Sequence, residues 1–277
     1  MILVTLSIAA GTMLVMAVIL SYILGWANKT FKVEVDPKIE SVLEILPGVN
    51  CGGCGYLGCS DYAVAVVTDN VPVNKCTVGG ESCAASVAKI MGVEVGEMIP
   101  IRAIVHCGAT ISQRLQTTPY RGEKRCAAAH LVAGVQGCTF GCLGFGDCVR
   151  ACNYDAIHIV EGLAVVDYKK CVGCGACSKV CPRKIITIAS FKENQIPTVA
   201  CSNQDKAKDA KAVCTTPCVA CKACSKISDI FTITGNLSKC EYDSYTAQHY
   251  EDAVKSLEKC PTNCIHFIGE PSQLNNL

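Results

Sequence analysis

From Met1 to Trp26 the chain carries no charged side chain. A run of about 20 apolar residues is enough to cross a bilayer as one helix. It is too long for the apolar segment of a cleaved signal peptide, and no basic stretch precedes it. Tyr22 and Trp26 suit a membrane interface, and Lys29, Lys32 and Lys38 follow directly. This one-sided lysine excess predicts a single pass in the inner (cytoplasmic) membrane. The N-terminus lies outside, and everything after residue 28 lies in the cytoplasm.

Past the anchor the pattern turns amphipathic. Asp36-Pro37 followed by Ile39, Val42, Leu43 and Leu46 predicts a short helix with an N-cap and a first-turn proline, stopped at Pro47-Gly48. Two more helices are expected around 62–67 and 84–91, the second ended by Gly92. Residues 99–107 read as a strand, and 108–125, with Gln113, Arg114, Thr117, Thr118, Pro119 and Gly122, as a polar linker. Short strands then recur: Ile157 and Ile159 flank an outward-facing His158, and similar runs follow Cys181 and begin at Ile230. A charged segment, 202–211, separates the last of these from the rest. The expected fold is a transmembrane anchor (1–28), a small mainly helical domain (29–98), a strand and linker (99–130), an α+β domain (131–198) and a degenerate second copy of it (199–277).

Composition changes the picture through one residue type. Cysteine occurs 23 times in 277 residues, but an odd count in repeated C-x2-C runs is a ligand pattern and not a disulfide framework. Such thiols belong in a reducing compartment. A net charge of +1 supplies no global field for nucleic acid, and the few aromatics are not interleaved with basic residues.

The densest pattern is Cys171, Cys174, Cys177 and Cys181-Pro182, the C-x2-C-x2-C-x3-C-P run of bacterial ferredoxins. In that run the fourth thiolate crosses to the neighbouring cluster. Cys171, Cys174 and Cys177 are therefore expected to hold one [4Fe–4S] cluster with Cys152. Cys138, Cys142 and Cys148 are expected to hold a second with Cys181. Gly173 and Gly175 give the loop the backbone freedom to wrap a cluster closely. The first half is looser, with gaps of x3, x5 and x3, and has Asn153 where proline is expected.

Two further sets follow the same logic. Cys51, Cys54, Cys59 and Cys76, with four glycines among the first three, predict one cluster in a glycine-rich loop. Near the C-terminus, Cys218, Cys221 and Cys224 repeat the run, Ser228 replaces its fourth cysteine, and Cys260-Pro261 keeps the ending. The four ligands of a single cluster survive: Cys218, Cys221, Cys224 and Cys260. Cys201, Cys240 and Cys264 are expected to be free, and Cys214 could replace one of the C-x2-C ligands. Cys83, Cys107 and Cys126 read as packed free thiols, with one further metal site using Cys107 and Cys126 as the alternative. The total is about four clusters. Zinc is the competing occupant of such spacings.

No dinucleotide fingerprint, P-loop or nucleophile–base set is present, so the chemistry belongs to the cofactor. The order of these motifs resembles the B subunit of the Rnf complex. The carrying residues are Cys51-Gly-Gly-Cys-Gly-Tyr-Leu-Gly-Cys and Asn74-Lys-Cys-Thr-Val-Gly-Gly-Glu, behind a membrane helix and before tandem ferredoxin motifs. The resemblance implies an iron–sulfur subunit of an ion-translocating ferredoxin:NAD+ oxidoreductase. Its partners would be the other Rnf subunits, a soluble ferredoxin as donor and, through one helix, lipid. Its electron flow would be coupled to Na+ or H+ movement. A membrane-anchored polyferredoxin serving another acceptor is the alternative. Lys169, Lys170, Lys179, Arg183 and Lys184 mark a basic loop where an acidic ferredoxin is expected to dock.

Overall fold

A computed structural model describes residues 2–30 and 36–270. Helix α1 (Ile2–Thr30) contains the apolar span Ile8–Thr30, with a mean hydropathy of 2.2 and no part buried against the protein. That is long and apolar enough to cross a bilayer. Lys32 lies outside the described residues.

The first cysteine set sits in a small helical unit. Helix α2 (Pro37–Ile45) starts where the Asp36 side chain accepts the Lys38 amide at 2.8 Å. Helices α3 (Cys59–Thr68) and α4 (Gly80–Met91) pack on it through Val42, Leu46, Tyr62, Val66 and Val87. Gly58, at the head of α3, has no side chain to cap with, so Asn50 accepts the Cys59 amide instead, at 2.7 Å. Gly92 closes α4 at φ +68°, where a side chain would be strained.

Next comes a two-part α+β unit. Strand β1 (Ile101–Val105) and the short helices α5 (Cys126–His130) and α6 (Asp147–Arg150) precede the hairpin β2 (Ile157–Val160) and β3 (Leu163–Val166). Helix α7 (Ala176–Val180) and strand β4 (Ile186–Ser190) complete it. β1 and β4 pair antiparallel from Ile101↔Ser190 to Val105↔Ile186. The strand expected at 99–107 therefore belongs to the core and is not a separate segment.

The C-terminal unit repeats this plan. It comprises β5 (Gln195–Val199), α8 (Ala207–Val213), α9 (Ala223–Ile227), β6 (Phe231–Thr234), β7 (Leu237–Cys240), α10 (Tyr250–Glu258) and β8 (Ile265–Gly269). β5 pairs with β8 and β6 with β7, as β1 does with β4 and β2 with β3. β5 thus falls in the C-terminal unit, although the sequence boundary at 198 placed it in the preceding one. The insert at 241–258 buries Tyr245, while Tyr242 packs beside it.

Residues 108–125 are not a free linker. The Leu115 amide donates to Val213 O at 3.0 Å, and the Thr215 amide to Gln113 O at 3.0 Å. Polar side chains hid this from a hydrophobic pattern, because the cross-link is made by backbone. The two α+β units also meet where β1 and β5 end: the Gly108 amide donates to Ala200 O at 2.9 Å, and Ser202 Oγ to His106 O at 2.8 Å.

Candidate metal centres

Cys152, Cys171, Cys174 and Cys177 line one cavity of about 20 Å³ together with Ala103, Ile157 and Gly173. The crossing-over of Cys152 from the other half of the motif is visible in this lining. Gly173 (φ +68°) lies against the Ile101 carbonyl, where any Cβ would collide. Amides point at the sulfurs: Ala156 N–H to Cys152 Sγ and Ala103 N–H to Cys171 Sγ, each 3.4 Å.

A second cavity of about 20 Å³ is lined by Cys218, Cys221, Cys224, Cys260 and Cys264. The repeat decides which thiol is equivalent to which. The Cys264 amide donates to Cys260 Sγ at 3.4 Å, as Ala156 does to Cys152, and both segments run on into a strand. By topology, however, Cys260 ahead of β8 stands where Cys181 stands ahead of β4, Cys264 where Ile185 does, and Ser228 where Cys152 does. In the same way Phe231↔Cys240 closes its hairpin as Ile157↔Val166 does, so Cys240 occupies a valine position in the core. A side-chain hydrogen bond from Cys264 lowers Cys260 to about 5 and Cys218 to about 6, while Cys264 itself is raised.

Around the helical unit, Gly53 N–H donates to Cys51 Sγ at 3.4 Å and Gly79 N–H to Cys76 Sγ at 3.3 Å. Cys54, Cys59 and Cys76 pack on the same small core. Buried Cys83 donates to Ile45 O at 3.7 Å and lies beside Cys76, which it lowers to about 6.

The remaining core set departs from expectation at one residue. Cys142, Cys148 and Cys181 share the core of the first α+β unit. Cys138 instead lines a third cavity with Cys107, Cys201 and Cys214, of which Cys201 was expected to be free. Cys126 comes close to Cys148: burial and then the sulfurs of Cys142 and Cys126 push the Cys148 thiol up to about 12. The x3 gap between Cys138 and Cys142 suggested a shared site, whereas the thiol beside Cys148 lies well before Cys138 in the chain, at no motif spacing.

Among the described residues, no three Cys, His, Asp or Glu side chains converge on a single-ion position. Tetrahedral zinc needs sulfurs within about 2.3 Å of one point. The cysteines of the Cys152–Cys177 set and of the C-terminal set line voids instead. Among the described residues three buried polar atoms lack a partner, and two of them lie beside the sets: Thr77 Oγ1 over Gly53, and Arg183 Nε near Cys181 in sequence. The third, Ser228 Oγ, marks the lost cysteine of the C-terminal run.

The basic loop is largely committed within the chain. Lys179 Nζ donates to Cys51 O at 2.7 Å, Lys170 pairs with Asp155 at 2.7 Å, and Arg183 donates to Cys138 O at 2.6 Å. Three of its five cations thus have partners within the chain.

Two family models match, one described as "Putative Fe-S cluster" over residues 46–78 and one as "4Fe-4S binding domain" over residues 164–187. The chain is 41% identical over 262 residues to the B subunit of the Na(+)-translocating ferredoxin:NAD(+) oxidoreductase complex of Acetobacterium woodii, covering 93% of this chain and 77% of that one. It is 38% identical over 223 residues to the B subunit of the ion-translocating oxidoreductase complex of Methanosarcina acetivorans, 80% of either chain. To the B subunit of the proton-translocating ferredoxin:NAD(+) oxidoreductase complex of Clostridium ljungdahlii it is 34% identical over 267 residues, 95% of this chain and 92% of that one.

Proposed function

The chain belongs to the family of B subunits of the ion-translocating (Rnf) oxidoreductase complexes, and on that premise we propose that it is the membrane-anchored iron–sulfur electron-transfer subunit of such a complex. It takes electrons from a reduced soluble ferredoxin and passes them to partner subunits, within a ferredoxin:NAD+ oxidoreduction coupled to Na+ or H+ movement. When bound, [4Fe–4S] clusters supply the one-electron chemistry.

The chain's own residues supply ligands, hydrogen bonds and burial. Cys51, Cys54, Cys59 and Cys76 hold one cluster, Cys152, Cys171, Cys174 and Cys177 another, and Cys218, Cys221, Cys224 and Cys260 a third. Cys142, Cys148 and Cys181 contribute to a further one. Backbone amides aimed at the sulfurs favour the more negative, reduced state and set its potential. Helix α1 anchors the chain in lipid, with the cysteine units on the lysine-rich, cytoplasmic side.

The observation that carries this reading is one local pattern that recurs at Cys152 and Cys260. In both units the ligand cysteine, the amide four residues on and the strand after it coincide around a cavity of one size. Iron and acid-labile sulfide analysis of the anaerobically purified full chain tests it. Equimolar iron and sulfide in a brown protein is expected, and stoichiometric zinc without sulfide would overturn it.

A further inference from the structure

Four cysteines from four separate places in the chain meet at the third cavity. Cys107 follows β1, Cys138 precedes the core motif, Cys201 follows β5 and Cys214 follows α8. They line a void of about 30 Å³, against about 20 Å³ for each of the two motif-built cavities. We propose that Cys107, Cys138, Cys201 and Cys214 hold a fifth [4Fe–4S] cluster, and that Cys126 takes Cys138's expected place beside Cys142, Cys148 and Cys181. This rests on the iron–sulfur reading of the other sets.

Each sulfur in the new set meets a donor, as those of the motif sets do. The Cys142 amide reaches Cys107 Sγ at 3.4 Å, and the Asn203 amide reaches Cys201 Sγ at 3.4 Å. Asn203 Nδ2 lies 3.6 Å from Cys138 Sγ, and Thr216 Oγ1 lies 3.8 Å from Cys214 Sγ. Asn203 is only 2% exposed, and its Oδ1 accepts the Asp205 amide at 2.7 Å, so one buried side chain is fixed in place with its amide nitrogen turned to sulfur. A buried polar residue of this kind needs a full set of partners.

Charge fits as well. Four thiolates around a cluster leave a buried negative charge, which needs cations nearby. The Arg114 guanidinium lines the cavity, held by Ala109 O at 2.8 Å and Gly162 O at 2.8 Å. Arg183 donates to Cys138 O and Gly141 O from Nη1, and its buried Nε is left without a protein partner.

Backbone holds the four cysteines in place. The Cys214 amide donates to Ala210 O at 3.1 Å, Arg114 and Cys214 form an isolated bridge, and Gly108 is tied to Ala200. Asp147, next to Cys148, accepts the Ala127 amide at 2.9 Å and so brings Cys126 alongside the core set. Five sets of four leave Cys83, Cys240 and Cys264 out of the 23, and each of these has another place in the structure. The new set also joins the two α+β units. Cys107 accepts an amide from Cys142 of the core set, and Cys201 accepts one from Cys218 of the C-terminal set.

The test uses the full chain, purified anaerobically in detergent. Wild type is expected to hold about 20 irons, and Cys107→Ala, Cys201→Ala and Cys214→Ala each to lose about four. These three should lose the same component of the reduced EPR spectrum, and Cys126→Ala a different one. A misfolded variant would lose every component, so a second arm reads the wild type alone: reductive titration should take up about five electrons per chain. A wild type with about 16 irons and four electrons, unchanged in Cys107→Ala and Cys214→Ala, would overturn the fifth site while leaving the electron-transfer reading intact. Absence of labile sulfide altogether would sink both.

Discussion

The Lys179 ammonium donates to the Cys51 carbonyl at 2.7 Å. It reaches from helix α7, which carries Cys177, into the glycine-rich loop of the helical unit. Gly53 packs there as well, its Cβ direction 3.5 Å from Cys174 Cα. One charged side chain thus latches the membrane-proximal set to the core set. Lys179→Met should loosen this latch and raise hydrogen exchange in the 50–58 loop about fivefold, the equivalent of about 1 kcal/mol for a charge-assisted hydrogen bond. Unchanged exchange would show that the two units dock without it.

Asp147 governs Cys126. Burial raises this carboxyl, but the amides of Ala127 and Cys126 and the Arg150 guanidinium outweigh it and hold the group below its ordinary value. A depressed folded value means that its stabilisation is present above the unfolded carboxylate value and is lost as pH falls through the folded one. Asp147→Asn should therefore destabilise the chain near neutrality, with the gap to wild type closing under acid. Asp147→Ala, which removes the acceptor of the Ala127 amide altogether, should cost about 1 kcal/mol more. Thermal melts of all three proteins between neutral and acid pH check the sign.

The C-terminal cysteines separate by role. Cys260→Ala should lose about four irons and Cys240→Ala none. Cys264→Ala should keep the iron but lower the cluster potential, because it removes an S–H donor that favours the reduced state. Redox-titrated EPR reads both effects. Iron loss in Cys264→Ala, with full iron in Cys260→Ala, would reverse the assignment of the two thiols.

The lysines that follow the apolar span in sequence, Lys29, Lys32 and Lys38, predict the orientation. A cysteine-reactive, membrane-impermeant label should fail to reach a cysteine introduced at Arg121 in intact cells and should reach it after lysis. Labelling in intact cells would place the unit outside.

The sequence disclosed whatever was carried by local spacing. Cys171, Cys174, Cys177 and Cys152 could be paired from the run alone because that loop wraps its own site. The helix starting at Pro37 was legible from its cap and its apolar period. The meeting of Cys201 and Cys214 at one cavity was not, because it is made by tertiary contacts between separate segments. The 108–125 stretch failed for a related reason: its cross-strand bonds are backbone, and its side chains are polar. The x3 gap from Cys138 to Cys142 did not reveal that Cys138 also lines a cavity with Cys107, Cys201 and Cys214. In the basic loop the charge of Lys170 and Lys179 is visible in sequence and their partners, Asp155 and the Cys51 carbonyl, are not.

The central claim is that this chain takes electrons from a soluble ferredoxin. Mixing the oxidised, anaerobically purified full chain with limiting reduced ferredoxin, and following its visible absorbance and EPR, tests that claim most directly. The account predicts bleaching of the chain with reduced iron–sulfur signals in proportion to the ferredoxin added. Iron-loaded protein that stays oxidised beside reduced ferredoxin would contradict it.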